Sequence, residues 1–213
     1  MEDLMEKIRT FFEAVAAGVF IGIAGTVFLS VENRVIGAFL FALGLLAILC
    51  FQLKLYTGAV GYIVYQKKNT LRYLLELLII WAGNFAGTVL VGKMLLFTRI
   101  AETVSGKALL LCNVKMADSF VSIFILSIFC GILMFSGVEA FKRKDLPDFG
   151  RVSMVFLCVS VFILCGFEHC IANMYYFAVG KAISWEFIPK LLVMTLGNGI
   201  GGAFVPLIAK KVQ

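Results

Sequence analysis

Glu168 and His169 stand side by side in an otherwise apolar run from Val152 to Val179, and His169 is the single histidine of the chain. An ionisable group at such a position is expensive inside a membrane and by default marks a transport path or a proton relay. Imidazole suits the second role, because a reference pKa of about 6.5 lets it give or take one proton in the physiological range. A carboxylate or nitrite ion is costly in hydrocarbon, whereas its protonated form is not. A central His169 that shares a proton with a passing weak-acid anion would therefore lower the barrier. Adjacent helical residues diverge by about 100°. Glu168 is accordingly expected to point away from the path, towards backbone amides, and to serve structure at a helix break.

A second interruption, Gln52-Leu53-Lys54-Leu55-Tyr56-Thr57-Gly58, falls inside the apolar run from Val35 to Tyr65. The Thr57 hydroxyl can orient the imidazole or a substrate; a local bond to its own helix is equally open to it. Lys54 in the same break has three open roles: attracting an anion, pairing with Glu168, or reaching the outer interface. Lys93 lies near the end of the third run and is expected only to snorkel. Lys115, just before the fourth run, would raise the local anion concentration at a vestibule.

The elements that must position these residues follow from composition. Of 213 residues 62% are hydrophobic, with a mean hydropathy of +1.00. Soluble domains are about 45–50% apolar, so this chain faces lipid. A spanning helix needs about 20 apolar residues, and six runs of that size use up nearly the whole length: Phe11–Ser30, Val35–Tyr65, Leu71–Phe97, Ser119–Phe141, Val152–Val179 and Ile188–Ala209. The second and fifth are too long and too interrupted for simple helices. The fold class expected is an all-α membrane protein forming one transmembrane domain over residues 1–213. The stretch from Met1 to Arg9 is charged and has no small-residue cleavage site after it, which marks a retained cytoplasmic head.

The net charge of +6 reads as an orientation signal and not as affinity for nucleic acid. With the N-terminus inside, the cytoplasmic segments carry Lys7, Arg9, Lys67, Lys68, Arg72, Lys142, Arg143, Lys144, Arg151, Lys210 and Lys211. The opposite side carries only Arg34, Arg99, Lys107, Lys115, Lys181 and Lys190. The positive-inside rule then sets both termini in the cytoplasm and the chain in the cell inner (plasma) membrane. Six scattered cysteines (Cys50, Cys112, Cys130, Cys158, Cys165, Cys170), without CxxC spacing or accompanying histidines, argue against a metal site and a disulfide framework. No cofactor is expected.

The halves repeat. Laid over each other at an offset of about 113 residues, Ala17-Gly18-Val19-Phe20-Ile21 meets Cys130-Gly131-Ile132-Leu133-Met134, and Gly83-Asn84-Phe85-Ala86-Gly87 meets Gly197-Asn198-Gly199-Ile200-Gly201. Each half, about 9–97 and 117–211, holds three spans. Three is odd, so the second copy lies inverted, the logic of transporters whose broken helices meet near the midplane. Gly18 and Gly22, Gly83 and Gly87, and Gly197 and Gly201 each share a helix face and are expected to permit close packing. An enzyme fits poorly, since one histidine and scattered cysteines supply neither an activated nucleophile with an orienting third group nor a ligand set. A neutral-solute pore would carry paired Asn-Pro-Ala segments. The chain has none, and Pro147, Pro189 and Pro206 all fall outside the breaks.

The segment Gly166-Phe167-Glu168-His169-Cys170-Ile171-Ala172-Asn173-Met174 resembles the signature of the formate/nitrite transporter family. The likeness extends to Leu55-Tyr56-Thr57-Gly58, Gly197-Asn198-Gly199-Ile200-Gly201-Gly202 and Ala17-Gly18-Val19-Phe20-Ile21, in order and with shorter loops. It implies an aquaporin-like protomer of six helices with helices two and five broken, assembled as a homopentamer in membrane lipid with one pore per protomer. The permeants would be small monovalent anions, formate first, with nitrite or hydrosulfide as alternatives. By the resemblance His169 is the central pore histidine, Thr57 its hydroxyl partner and Asn173 a polar pore residue beyond it. Phe41 and Phe162 match a cytoplasmic hydrophobic constriction, Leu55 part of an outer one, and Lys115 the vestibule lysine. The chain departs from the family at Lys54, commonly acidic there, and at Gly131, commonly asparagine. It is also short, which suggests trimmed termini and an absent gating segment.

Overall fold

The structure is a computed structural model that describes residues 1–66 and 69–209. Lys67, Lys68, Lys210 and Lys211, counted above for orientation, lie outside the described residues. Among the described residues four helices are long and apolar enough to cross a membrane: α1 (Glu2–Ser30), α4 (Thr70–Leu95), α6 (Phe120–Lys142) and α9 (Phe187–Ile208). Large apolar side chains, among them Phe12, Leu71, Leu78, Phe97, Leu192 and Leu207, stay exposed on the outside of the bundle, where hydrocarbon or another subunit would cover them.

The two long interrupted runs each divide into two helical pieces. α2 (Arg34–Cys50) is followed by α3 (Tyr56–Ala59), which tightens into a 3-10 turn over Val60–Tyr65. α7 (Asp148–Leu164) is followed by α8 (Cys170–Val179). Both first pieces stop in the same way. Gln52 and Gly166 adopt left-handed φ values of 54° and 71°. The next amide then turns back, Leu53 N–H to the Ile48 carbonyl and Phe167 N–H to the Phe162 carbonyl, both at 2.9 Å. This is the Schellman stop, for which glycine is the favoured residue.

One helix was not expected. The stretch 98–118, read as a connection, forms α5 (Ala101–Ala117). Its buried residues Val104, Ala108 and Cys112 recur every four positions and pack the helix against α8. That stripe is in the sequence, but Glu102, Gly106, Lys107 and Lys115 dilute it below the signal of a spanning helix.

α1 packs on α4, and α6 on α9. Backbones meet at glycine: a Cβ on Gly87 would lie 2.1 Å from the Val15 carbonyl oxygen, and one on Gly201 would lie 2.0 Å from that of Ile128. Gly131 belongs to this packing. A Cβ there would lie 2.3 Å from the Asn198 carbonyl oxygen, so the position faces α9 and takes no polar side chain. The departure at Gly131 is therefore a close approach of α6 to α9.

Candidate functional site

Each break is held by one buried asparagine. Asn84 on α4 donates through Nδ2 to the carbonyls of Ala14 and Lys54, at 2.8 and 2.9 Å, and its Oδ1 accepts the Tyr56 amide at 2.9 Å. Asn198 on α9 donates to the carbonyls of Ser127 and Glu168, at 2.8 and 2.7 Å, and accepts the Cys170 amide at 2.9 Å. The pairs 84 and 198, 54 and 168, and 56 and 170 all stand 114 apart. Each side chain thus satisfies the backbone groups that an interrupted helix leaves orphaned in an apolar interior. In the sequence both asparagines stand inside glycine motifs, Gly83-Asn84-Phe85-Ala86-Gly87 and Gly197-Asn198-Gly199-Ile200-Gly201, which hide their role. The available signal was an amide at matched positions of two apolar spans.

These clamps bring His169 against Thr57. His169 is the N-cap of α8: its Nδ1 accepts the Ala172 amide at 3.1 Å. Its Nε2 lies 3.1 Å from Thr57 Oγ1, and both residues are buried. A ring nitrogen that accepts an amide carries no proton, so this network assigns the neutral Nε2–H tautomer, with His169 donating to Thr57. The Thr57 hydroxyl proton is then free to face another acceptor. A second proton can reach the ring only by release of the Nδ1 cap.

Phe162 stacks on His169 with centroids 5.4 Å apart, and Phe41 meets Phe162 edge-on at 5.9 Å. Two cavities approach from opposite ends. One, of about 420 Å³, is lined by Phe162, His169, Asn173 and Lys115 together with Glu32, Arg34 and Lys107, at the end of α1 away from the N-terminus. The other, of about 690 Å³, is lined by Leu45, Leu55, Gly58 and Lys54. Lys54 also borders a space lined by Glu6, Arg9 and Glu13, which fixes this as the N-terminal face. The sides expected for the constrictions are therefore exchanged. Phe162, with Phe41 beside it, belongs to the cavity opposite the N-terminal face, and Leu55 to the cavity on that face. Sequence likeness does not give the side, because it depends on which piece of each broken helix faces which end. Leu45, four residues after Phe41 and fully buried, joins Leu55 and was missed.

Glu168 is buried, and its carboxylate meets side chains in place of the backbone amides expected. Oε2 accepts from Lys115 Nζ and from Asn173 Nδ2, both at 2.6 Å. Asn173 reaches the cavity opposite the N-terminal face while holding this carboxylate. Lys115 is not a solvated vestibule cation: its side chain is 12% exposed against 4% for Glu168. Breaking such a buried pair from one side leaves an uncompensated charge. Around the same mouth Arg34 donates to the Leu164 carbonyl at 3.2 Å, and Lys107 pairs with Glu32 at 2.9 Å. The Lys107 ammonium, by hydrogen bond and by charge, holds the Glu32 carboxyl below its ordinary value. Lys54 does not meet Glu168 or the outer interface. It pairs with Glu76 at 3.3 Å on the N-terminal face, because the two breaks send their residues 54 and 168 to opposite ends.

A family model described as formate/nitrite transporter matches residues 3–210. The chain belongs to this family. Members of the formate/nitrite transporter family are transporters and channels, not enzymes, and the chain is accordingly an integral membrane protein. It is 26% identical to the formate channel FocB of Escherichia coli over 92% of this chain and 84% of that protein. It is 29% identical to the formate-nitrite transporter of Plasmodium falciparum, over 93% and 75%. A solved structure titled a pentameric formate channel with formate bound shares the fold, with a TM-score of 0.77 at 24% identity over 95% of this chain and 96% of that one.

Proposed function

We propose that the protein is a channel or proton-coupled transporter for small monovalent anions of weak acids, formate foremost. The observation that carries this reading is the buried Thr57–His169 contact, 3.1 Å long, set between cavities on opposite faces of the bundle. An anion entering the outer cavity meets Lys115, whose charge Glu168 shares. Phe41 and Phe162 on that side, and Leu45 and Leu55 on the other, strip its water. Stripping a charge in apolar surroundings is costly, and one proton abolishes the charge of a monovalent weak acid. His169 and the Thr57 hydroxyl offer hydrogen bonds at the narrow part. Release of the Ala172 amide from Nδ1 gives the ring the capacity to carry that proton. Asn173 keeps the Glu168 carboxylate in place beside the path, and Lys54 draws anions at the N-terminal mouth.

The architecture supporting this is six crossings: α1, α2 with α3, α4, α6, α7 with α8, and α9. The asparagine clamps and the glycine contacts, repeated 114 residues apart, support two inverted halves of about 9–97 and 117–211 within one domain. The exposed apolar exterior supports burial of part of that surface between subunits of a homopentamer, the state named for the formate-bound neighbour. Both termini are cytoplasmic in the plasma membrane by the distribution of Lys and Arg. The test is reconstitution in vesicles with imposed gradients of formate, nitrite and hydrosulfide. Formate flux well above that of empty vesicles is expected, from particles with the mass of five subunits, and absence of flux for all three anions would overturn the reading.

A further inference from the structure

We propose that the N-terminal mouth is also a binding site for a multivalent oxyanion of the phosphate or pyrophosphate type, and that its occupant closes the path to monovalent anions. The closing effect rests on the anion-conducting reading, whereas the binding does not. The cavity is about 690 Å³, against about 420 Å³ for the one on the opposite face. Formate, with three heavy atoms, leaves most of it empty. Its charged lining residues are Lys54, Lys142 and Arg151, all cations, and Gln52 and Tyr62 add polar groups. The opposite cavity mixes Glu32 with its cations.

The cations are held loosely enough to change partner. Lys54 and Glu76 sit 3.3 Å apart with side chains 39% and 36% exposed, and Arg151 pairs with Asp148, whose side chain is 94% exposed. Exposed pairs of this kind are weak. Lys142 makes no ion pair among the described residues and rests its ammonium 4.3 Å from the centroid of the Tyr62 ring. Arg151 donates through Nε to the Phe141 carbonyl at 2.8 Å and through Nη1 to Asp148 at 2.9 Å, which leaves Nη2 to bind an oxyanion, joined by Nη1 when the exposed Asp148 is exchanged. Three like charges on α6, α7 and the first break line the cavity, while the nearest carboxylates stand behind the lining: Glu76 and Asp148 in the pairs just given, and Glu139, which accepts from the Tyr62 hydroxyl at 2.6 Å. Attraction grows with the charge of the ligand, so a multivalent anion is favoured over a monovalent one. It is also retained: Leu55 forms an apolar floor, and one proton from His169 leaves a multivalent anion charged. Binding without passage makes the occupant a plug.

The intact oligomer in detergent is titrated with pyrophosphate by calorimetry, separately from any flux measurement. Saturable binding of about one pyrophosphate per subunit is expected, weakened at least about tenfold by K54Q/K142Q. Lys54→Arg, which keeps the charge, should bind within about threefold of the parent. In vesicles of known orientation, pyrophosphate on the N-terminal face should block formate flux, and on the other face it should not. Absence of binding, equal binding by K54Q/K142Q variants that elute as intact oligomers, or equal block from both faces would each overturn the proposal. So would competition in nanodiscs by phosphatidic acid alone with no effect of pyrophosphate. A protein that binds pyrophosphate and moves none of formate, nitrite and hydrosulfide would refute the transport reading and keep the site.

Discussion

His169 does two jobs that substitution can separate. Its Nδ1 caps α8 through the Ala172 amide, and its Nε2 faces Thr57. Phenylalanine removes both functions. His169→Phe should lower proton-linked anion flux at least about tenfold, a barrier increase of about 1.4 kcal/mol, and lose about 1 kcal/mol of stability with the cap. Asparagine is among the best N-cap residues but does not titrate. His169→Asn should therefore unfold within about 0.5 kcal/mol of the parent in a detergent melt while losing the pH dependence of flux. Unchanged pH dependence in His169→Asn would remove His169 from the proton path and leave it a cap. Thr57→Val keeps shape and deletes the hydroxyl. Flux should fall with little change in the melt, because the hydroxyl's proposed partner is the permeant as well as the ring.

At the scale of the element, the breaks depend on residues remote in sequence. Asn198→Ala strands the Cys170 amide and the Glu168 carbonyl at once, whereas the Ser127 carbonyl keeps its bond within α6. Unpaired buried groups cost about 1–3 kcal/mol each, so the variant should lose roughly 2 kcal/mol or more, read as a lowered melting temperature of the oligomer. Loss below about 1 kcal/mol would mean that the break is held by packing instead. The turn residues give a finer test. A Cβ on Gly166 meets nothing within 4 Å, but its φ is 71°; Gly166→Ala should cost about 1 kcal/mol through backbone strain alone. Gln52 takes the same turn at φ 54°, and Gln52→Gly should be neutral or stabilising by up to about 1 kcal/mol. The breaks themselves were legible, since Gln52–Gly58 and Gly166–His169 interrupt apolar runs too long for one span. Which side chain holds which carbonyl was not, because Asn84 and Asn198 act across pairs of helices. The partner of Lys115 was hidden for the same reason: α5 has no spanning signature, and only its packing on α8 delivers the ammonium to Glu168.

Over the whole molecule, the two halves share their backbone devices and reverse their charges. At the 114-residue offset that relates Asn84 to Asn198, Lys54 answers to Glu168 and Glu76 to Lys190. The mouth opposite the N-terminal face holds its central ion pair buried, with Lys115 12% exposed. The N-terminal mouth presents Lys54 39% exposed, along with Lys142 and Arg151. Salt distinguishes them. Exposed charges act over a Debye length of about 10 Å at 0.1 M ionic strength and about 30 Å at 0.01 M, whereas buried pairs are screened far less. Formate flux entering at the N-terminal face should therefore lose apparent affinity, about threefold between 0.01 and 0.3 M of an impermeant salt. Entry from the opposite face should respond less, since the pair nearest His169 is already neutralised internally. Lys54→Gln should flatten the salt response on the first side and leave the second as it was. Equal salt dependence from both faces, unchanged by Lys54→Gln, would mean that the charge reversal between the halves has no part in drawing anions to the pore.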